Sequence, residues 1–446
     1  MHLDAQPARP DERYLFGPGP AWFAFGMTIA LMVFDYVDRQ VIVSLFPQMK
    51  AEWGLSDRQL GALVSVVSLT VALGALPVAL LADRVSRVRS VAVMAGAWSL
   101  ATVSCMFTRQ YGALLAARAV VGVGEAGYGA VGAALIASHF PQRLRGALLA
   151  GFFAAASVGS VLGVLLGGLI AARWGWRAAF GVVGLPGLLL ALLYLKVRDY
   201  QTVALDVTTT RPGAGLRATA RALGRSATLR WVCVGGAAQL IVVSALWSWL
   251  PSFLNRLHGL APEQAALKAA LVVLAGALGS VLWGALVDRL GRAAPRRKPL
   301  LLAGLCVLSM VPLTLAFGVI ASASLQFGLV LLGGALATCT VGPASAMVID
   351  VVHPGARATG SSVLALCQNL FGLAAGPLLA GWLSDHWGLQ AALAITPGAA
   401  LLAALAWWRA AAHYERDRRL AQGLAAEADA GTAPERSVSR PKALAA

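Results

Sequence analysis

The feature that most constrains this chain is a succession of apolar runs, each about 20 residues long, separated by short polar or glycine- and proline-bearing breaks. Read by runs and breakers, they give twelve candidate helices at 21–46, 58–82, 89–108, 111–138, 144–172, 177–196, 229–255, 263–288, 299–318, 323–350, 356–385 and 389–411. A water-exposed fold of this length could not be covered by the polar surface available, because 13% of the residues are charged against 58% hydrophobic. The 48 glycines fit helices packed in lipid, where glycine is tolerated. A soluble enzyme, a disordered chain and a disulfide scaffold are excluded. An all-α integral membrane protein remains.

The basic residues test this layout. With the N-terminus inside, 27 of the 36 Lys and Arg fall in cytoplasmic segments, seven in outer loops, and Arg39 and Arg118 within spans. That asymmetry is the positive-inside pattern and gives an N-in, C-in orientation. The net charge of +16 is thereby a topology signal, and nucleic acid is not an expected partner. The polar N-terminus has no apolar signal region, so the first span is expected to start insertion itself.

The longest internal gap divides the spans six and six. The expected organisation is a tail over 1–20, a six-helix bundle over 21–196, a cytoplasmic linker over 197–228, a second bundle over 229–411 and an unstructured tail over 412–446. The linker's basic second part reads equally as a short helix on anionic lipid headgroups or as a solvated connection.

The halves repeat each other at an offset near 205, lengthening to 213. Pro47 answers Pro251, and Leu81-Ala-Asp-Arg84 answers Leu286-Val-Asp-Arg289. Further on, Gly159, Gly163, Gly168 and Trp174-Gly175 answer Gly372, Gly376, Gly381 and Trp387-Gly388. A long series in one register, including tryptophans and charged residues, marks a duplication. Two such halves place a substrate near the midplane between them, exposed alternately to each side as they rock.

Charged residues inside spans are the candidate site. An ionised group in hydrocarbon costs about 2.5–3.5 kcal/mol on insertion scales, so it needs partners or water. Span 1 carries Asp35, Asp38 and Arg39, and span 4 carries Arg118 and Glu125. Arg118 and Glu125 share a helix face about 10 Å apart. Counting about 1.5 Å per residue puts Asp38, Arg39 and Arg118 in an outer layer, with Asp35 and Glu125 deeper. Such a cluster is a protonatable site coupled to transport, an anchor for a charged substrate head, or a static network tying spans 1 and 4.

Other residues carry less. Gly159, Gly163 and Gly167 give span 5 a thin face for close packing. Trp247 and Trp249 read as an interfacial belt, with a gating role as the alternative. Tyr128 in span 4, Gln239 in span 7 and Gln368-Asn369 in span 11 are candidate cavity-lining groups, with interhelical hydrogen bonding as the competing role. The five cysteines lack paired or metal spacing and read as packing residues. The six histidines lie at loops and ends. With no Walker loop or nucleophile–base constellation, neither an enzyme nor an ATP-driven pump is expected, and no cofactor or metal.

Two loop segments resemble a family signature. Gly284-Ala-Leu-Val-Asp288-Arg289-Leu-Gly-Arg292 fits the loop motif of the major facilitator superfamily well. Its first-half copy, with Asp83, Arg84 and Arg87, has Ala79 and Ser86 in place of glycines and Val88 in place of a basic residue. The resemblance implies a cytoplasmic latch of the outward-facing state. Asp38-Arg39, Leu-Ala-Asp-Arg at 81–84, VGVGEAGYG at 121–129, SVGSVLG at 157–163 and WGWRAAF at 174–180 are together similar to the spinster-like branch. That resemblance covers about residues 35–190. It implies cavity-lining, proton-sensing roles for Asp38, Arg39, Arg118 and Glu125, and a substrate of the lysolipid or sphingoid class. The expected protein is a monomeric, proton-linked secondary transporter of a bacterial-type inner membrane, with lipids, protons and an amphipathic or anionic solute as partners. The alternatives are a small organic acid or drug carrier of the same fold, and a transport-inactive sensor.

Overall fold

The computed structural model describes residues 14–199, 224, 226–292, 294–320, 322–353 and 356–431. Among these, twelve helices are long and apolar enough to cross a membrane. Spans 1 to 6 are Pro18–Ser44, Asp57–Ala75, Arg87–Cys105, Tyr111–His139, Gln142–Trp174 and Trp176–Tyr194. Spans 7 to 12 are Ala227–His258, Pro262–Gly291, Arg297–Gly318, Ala323–Val351, Thr359–Trp387 and Leu389–Gly423. Below, the odd-loop face carries the connections after odd-numbered spans, and the even-loop face carries the rest. Large side chains such as Leu278, Val281 and Leu282 on span 8 are exposed, as expected for a surface solvated by lipid. Residues 200–223 and 225 of the linker, where the headgroup-helix and solvated readings fall, lie outside the described residues.

Local sequence sets the helix ends. Ser56 accepts from Gln59 N at 3.2 Å while Gln59 Oε1 accepts from Ser56 N at 2.9 Å, the reciprocal box that starts span 2. Pro262 opens span 8, where a missing N–H costs nothing. Spans 4 and 10, expected as continuous, are each interrupted. Span 4 breaks after Glu125, where Gly127 takes φ +83° before a new helix runs Tyr128–His139. Span 10 breaks between Ala337 and Val341. The repeat register places Thr338 opposite Glu125, so the break is duplicated and the charge is not.

Two other limits differ from expectation. The helix of span 1 ends at Val41, passes through a 3-10 turn Ile42–Ser44, and a separate helix Phe46–Trp53 follows with Pro47 in its first turn. Pro251, its counterpart, sits inside an unbroken helix that runs to His258. At the other end, the last helix continues to Gly431, twenty residues past the expected end at 411. The Ala-, Glu- and Arg-rich sequence there has high helix propensity, and Tyr414 is buried on span 10's end with its hydroxyl on Asp350. Residues 432–446 lie outside the described residues.

Glycines set the closest helix contacts. Span 5 presents Gly159, Gly163 and Gly167 to the carbonyls of Val33, Val37 and Val41 on span 1. A Cβ on Gly163 would stand 2.7 Å from the Val37 oxygen, so no larger residue fits unless the helices part. The second half repeats this, with Gly372 and Gly376 of span 11 on the Ala237 and Ile241 carbonyls of span 7. Between halves, Gly168 of span 5 meets the Pro262 carbonyl and Ala266 of span 8, and Gly381 of span 11 meets the Asp57 carbonyl of span 2. Asp57 and Pro262 are equivalent in the repeat. The two seams are therefore related by the internal pseudo-symmetry, and both lie toward the odd-loop face.

Candidate functional site

Span 1's polar residues stand where that glycine-set packing holds the helix against span 5. The first glycines of VGVGEAGYG seat span 4 against two neighbours. Gly122 abuts Thr70 and the Val67 carbonyl of span 2, and Gly124 lies against Trp98 of span 3. Gly127 then supplies the left-handed turn, so the motif's glycines place Glu125 at the last position of a helix facing span 1.

Arg39 Nε lies 2.9 Å from Glu125 Oε2 and 3.5 Å from Asp35 Oδ1. None of these atoms is aligned as a hydrogen bond. The Arg39 guanidinium also lies 5.2 Å from the Tyr36 ring centroid. Arg39 thus belongs with the deeper carboxylates and not with the outer layer. The reason is geometric: helix side chains lean toward the N-terminus, and Arg39 is long enough to reach back one turn to Asp35.

The outer layer is built differently. The carbonyl of Asp38 lies in the last turn of the span-1 helix, where it has no regular intrahelical donor. Arg118 Nη1 donates to it at 3.2 Å, and Arg118 Nε donates to the Leu63 carbonyl of span 2 at 3.4 Å. The Asp38 carboxylate instead accepts from Thr102 of span 3 at 2.6 Å. Asp38 Oδ1 and Arg118 Nη2 are buried without a hydrogen-bond partner. Four helices therefore converge on three carboxylates and two guanidinium groups. Asp35, Asp38, Arg118 and Glu125 are all buried, and only the Arg39 side chain, 17% exposed, reaches open space.

The remaining candidates separate. Tyr128 is buried inside the first half, with its hydroxyl donating to the Thr28 carbonyl at 2.6 Å and its ring edge-on to Trp98. Gln239 is fully buried and donates to Ser309 Oγ at 3.1 Å and the Ala337 carbonyl at 3.0 Å. Both bond across helix contacts, Tyr128 through its only polar side-chain atom and Gln239 through Nε2, while Gln239 Oε1 is buried without a partner. Gln368 and Asn369 stay half-buried in a π-helical turn, Gln368–Leu373, with Asn369 Nδ2 on the Ala365 carbonyl.

On the even-loop face, Asp288 pairs with Lys298 at 2.8 Å, within its own half, and Arg289 and Arg292 are exposed. Arg87 lies 3.5 Å from Ser138, and the side chains of Asp83 and Arg84 lie outside the described residues.

Residues that sequence reasoning passed over join the halves at the odd-loop face. Asp57 accepts from Lys50 at 2.7 Å, Arg256 at 2.8 Å and Ser384 at 2.6 Å. Asp385 in turn caps the start of span 2, accepting from Asp57 N at 2.7 Å and Arg58 N at 2.9 Å. Trp249 is fully buried beneath them, donating to the Pro377 carbonyl at 3.0 Å and packed against Phe46 in a tilted ring contact at 5.2 Å. The expected interfacial belt is wrong for Trp249, because the seam between halves, and not the lipid boundary, takes its ring. The sequence signal for Asp57 was an acid at the start of a span with basic Lys50 and Arg256 near the same ends of neighbouring spans.

The chain belongs to the major facilitator superfamily, whose family model matches residues 28–372 and 232–445. It is similar to an MFS-type efflux pump of Mycolicibacterium smegmatis, with 30% identity over 414 residues, covering 90% of this chain and 95% of that protein. It is also similar to Protein spinster of Drosophila melanogaster, 26% identical over 82% of this chain; the chain spans 62% of that protein's length. A bacterial homologue of the human lysosomal transporter Spinster, crystallised inward-facing and unoccupied, superposes with a TM-score of 0.80 at 23% identity, covering 90% of this chain and 99% of that one. Within the superfamily the chain resembles proteins of spinster type.

Proposed function

We propose that this transporter carries an amphipathic or anionic organic solute, of the lysolipid or sphingoid kind, by proton-linked alternating access. The observation that supports this is the charge balance of the buried cluster: three carboxylates face two guanidinium groups, and the partly exposed member is Arg39. With every group ionised the cluster holds an excess negative charge out of water, which one proton neutralises. An anionic head that reaches the cluster meets Arg39 first. As Arg39 turns to it, Glu125 and Asp35 lose their shared counter-charge and one takes up a proton. Return of Arg39 releases both. Asp38, Thr102 and Arg118 hold span 1 in register beneath this exchange.

The orientation follows from the distribution of Lys and Arg, with the odd-loop face outward, both chain ends in the cytoplasm of a bacterial-type inner membrane, and the linker of residues 197–228 inside. Asp83, Arg84, Arg87, Asp288, Arg289 and Arg292 then act as the cytoplasmic gate. They would engage across the halves when the outer seam opens. The protein works as a monomer.

Purified protein in liposomes tests the coupling. Glu125→Gln should abolish the pH-gradient dependence of flux while leaving the thermal unfolding transition in place. Unchanged coupling in that variant removes Glu125 from the mechanism. A second reading, a carrier of small organic acids, draws on similarity to a gallate transporter of Pseudomonas putida, 27% identical over 81% of this chain. Thermal-shift comparison of lysolipids with aromatic acids separates the two, since stabilisation by acids alone favours the second.

A further inference from the structure

Lys268 lies six residues into span 8, about 9 Å below the helix start. It is half-buried, and among the described residues it forms no ion pair. Its ammonium sits 5.3 Å from the centre of the Phe327 ring. An ammonium at this depth is stabilised by water or by an anion that meets it.

A cavity of about 130 Å³ opens beside it between spans 7, 8 and 10, at the odd-loop face of the second half. Phe253, Phe327 and Val330 supply its apolar wall, and Lys268, His258 and Gln326 its polar side. Gln326 donates to the Ala316 carbonyl at 2.7 Å, which leaves its Oε1 as the acceptor facing His258 Nε2 at 2.6 Å. His258 therefore carries its hydrogen on Nε2, and that polar pair satisfies itself. Lys268 is left as the one lining cation without a carboxylate. No acidic side chain lines the cavity.

We infer that this cavity binds a small organic anion with a single ring or short chain, its carboxylate on Lys268 and its body against Phe253, Phe327 and Val330. The volume decides the size class. A cavity of about 150 Å³ holds a benzene ring, so this one, slightly smaller and open on one side, takes at most a single ring or a short chain and not a lysolipid chain. The site is separate from the Arg39 cluster, which lies in the other half, and it does not depend on proton coupling. The same chemistry, an anion on an apolar stem, could be offered by a free acid or by a lipid headgroup; the size selects the free acid.

Calorimetric titration of the full-length protein in neutral detergent tests this, with benzoate as probe, benzyl alcohol as its neutral counterpart and dihexanoylphosphatidylglycerol as the lipid source. Benzoate should bind at least about tenfold more tightly than benzyl alcohol, the difference expected of one charge-assisted contact. Lys268→Met should weaken benzoate about tenfold, Lys268→Arg should retain it, and Ala323→Phe should block it sterically with Lys268 intact. Glu125→Gln should bind benzoate like the parent, so failure of the transport reading leaves this result standing. Equal binding of benzyl alcohol, or unchanged affinity in Lys268→Met, overturns the proposal. So does binding of the lipid headgroup with none of benzoate.

Discussion

Asp57, at the head of span 2, and Arg256, two residues before the end of span 7, stand 2.8 Å apart across the seam between the two halves. Lys50 and Ser384 complete the coordination of the same carboxylate. Removing one member of a mostly buried charge pair costs about 1–3 kcal/mol once the partial exposure of Arg256 is allowed for. Asp57→Asn should therefore shift the protein toward the state open at the odd-loop face. The check is labelling of a cysteine introduced beneath Trp249: the variant should label faster than the parent, and equal rates would show that the pair does not hold the seam.

Trp249→Phe removes the donor to the Pro377 carbonyl but keeps most of the ring packing on Phe46. A loss of about 1–2 kcal/mol in seam stability should follow, seen as intermediate labelling in the same assay.

Thr102→Val keeps the shape of span 3 while leaving the Asp38 carboxylate without its 2.6 Å donor. Hydrogen bonds to charged groups are worth about 1.5–3 kcal/mol, so the melting temperature should fall. Thermal unfolding of the variant beside the parent reads the loss.

Arg118→Lys should disable transport despite conserving charge. A single ammonium cannot reproduce a fork that spans the Asp38 and Leu63 carbonyls on two different helices. Flux in liposomes should drop by at least about tenfold, with expression retained.

Gly163→Val forces a Cβ against the Val37 carbonyl, where an ideal position stands at 2.7 Å, and should destabilise the first half by several kcal/mol. Gly96→Ala in span 3, where nothing lies within 4 Å, is the control and should be neutral or slightly stabilising. Thermal unfolding of the two variants side by side decides it.

The twelve spans, the duplication and the five charges of spans 1 and 4 were legible because hydrocarbon makes each of them an anomaly against its surroundings. The thin face of span 5 was legible too, although its partner was not. Partner choice inside the cluster escaped, because depth counted along the helix axis ignores how far an arginine reaches backward. Asp57 and Lys268 escaped for a related reason. Each sits near a span end, where a charge reads as solvated, and only the packing of the opposite half shows that Asp57 is buried. Tyr128 and Gln239 illustrate the converse: a polar side chain in an apolar run is conspicuous in sequence, but whether it faces a cavity or a neighbouring helix depends on rotation about the helix axis.

The pseudo-symmetric seams have unequal chemistry. Where Gly381 meets Asp57 the contact is bolted by charge, while its twin, Gly168 against Pro262 and Ala266, is a dry slide of small groups. Opening of this face is then a lopsided event, in which one edge must unzip before the other can glide. In the rocking motion proposed above the barrier then sits on one side of the molecule, and because the bolt is largely buried, where salt screens it little, the lopsidedness should persist at high ionic strength.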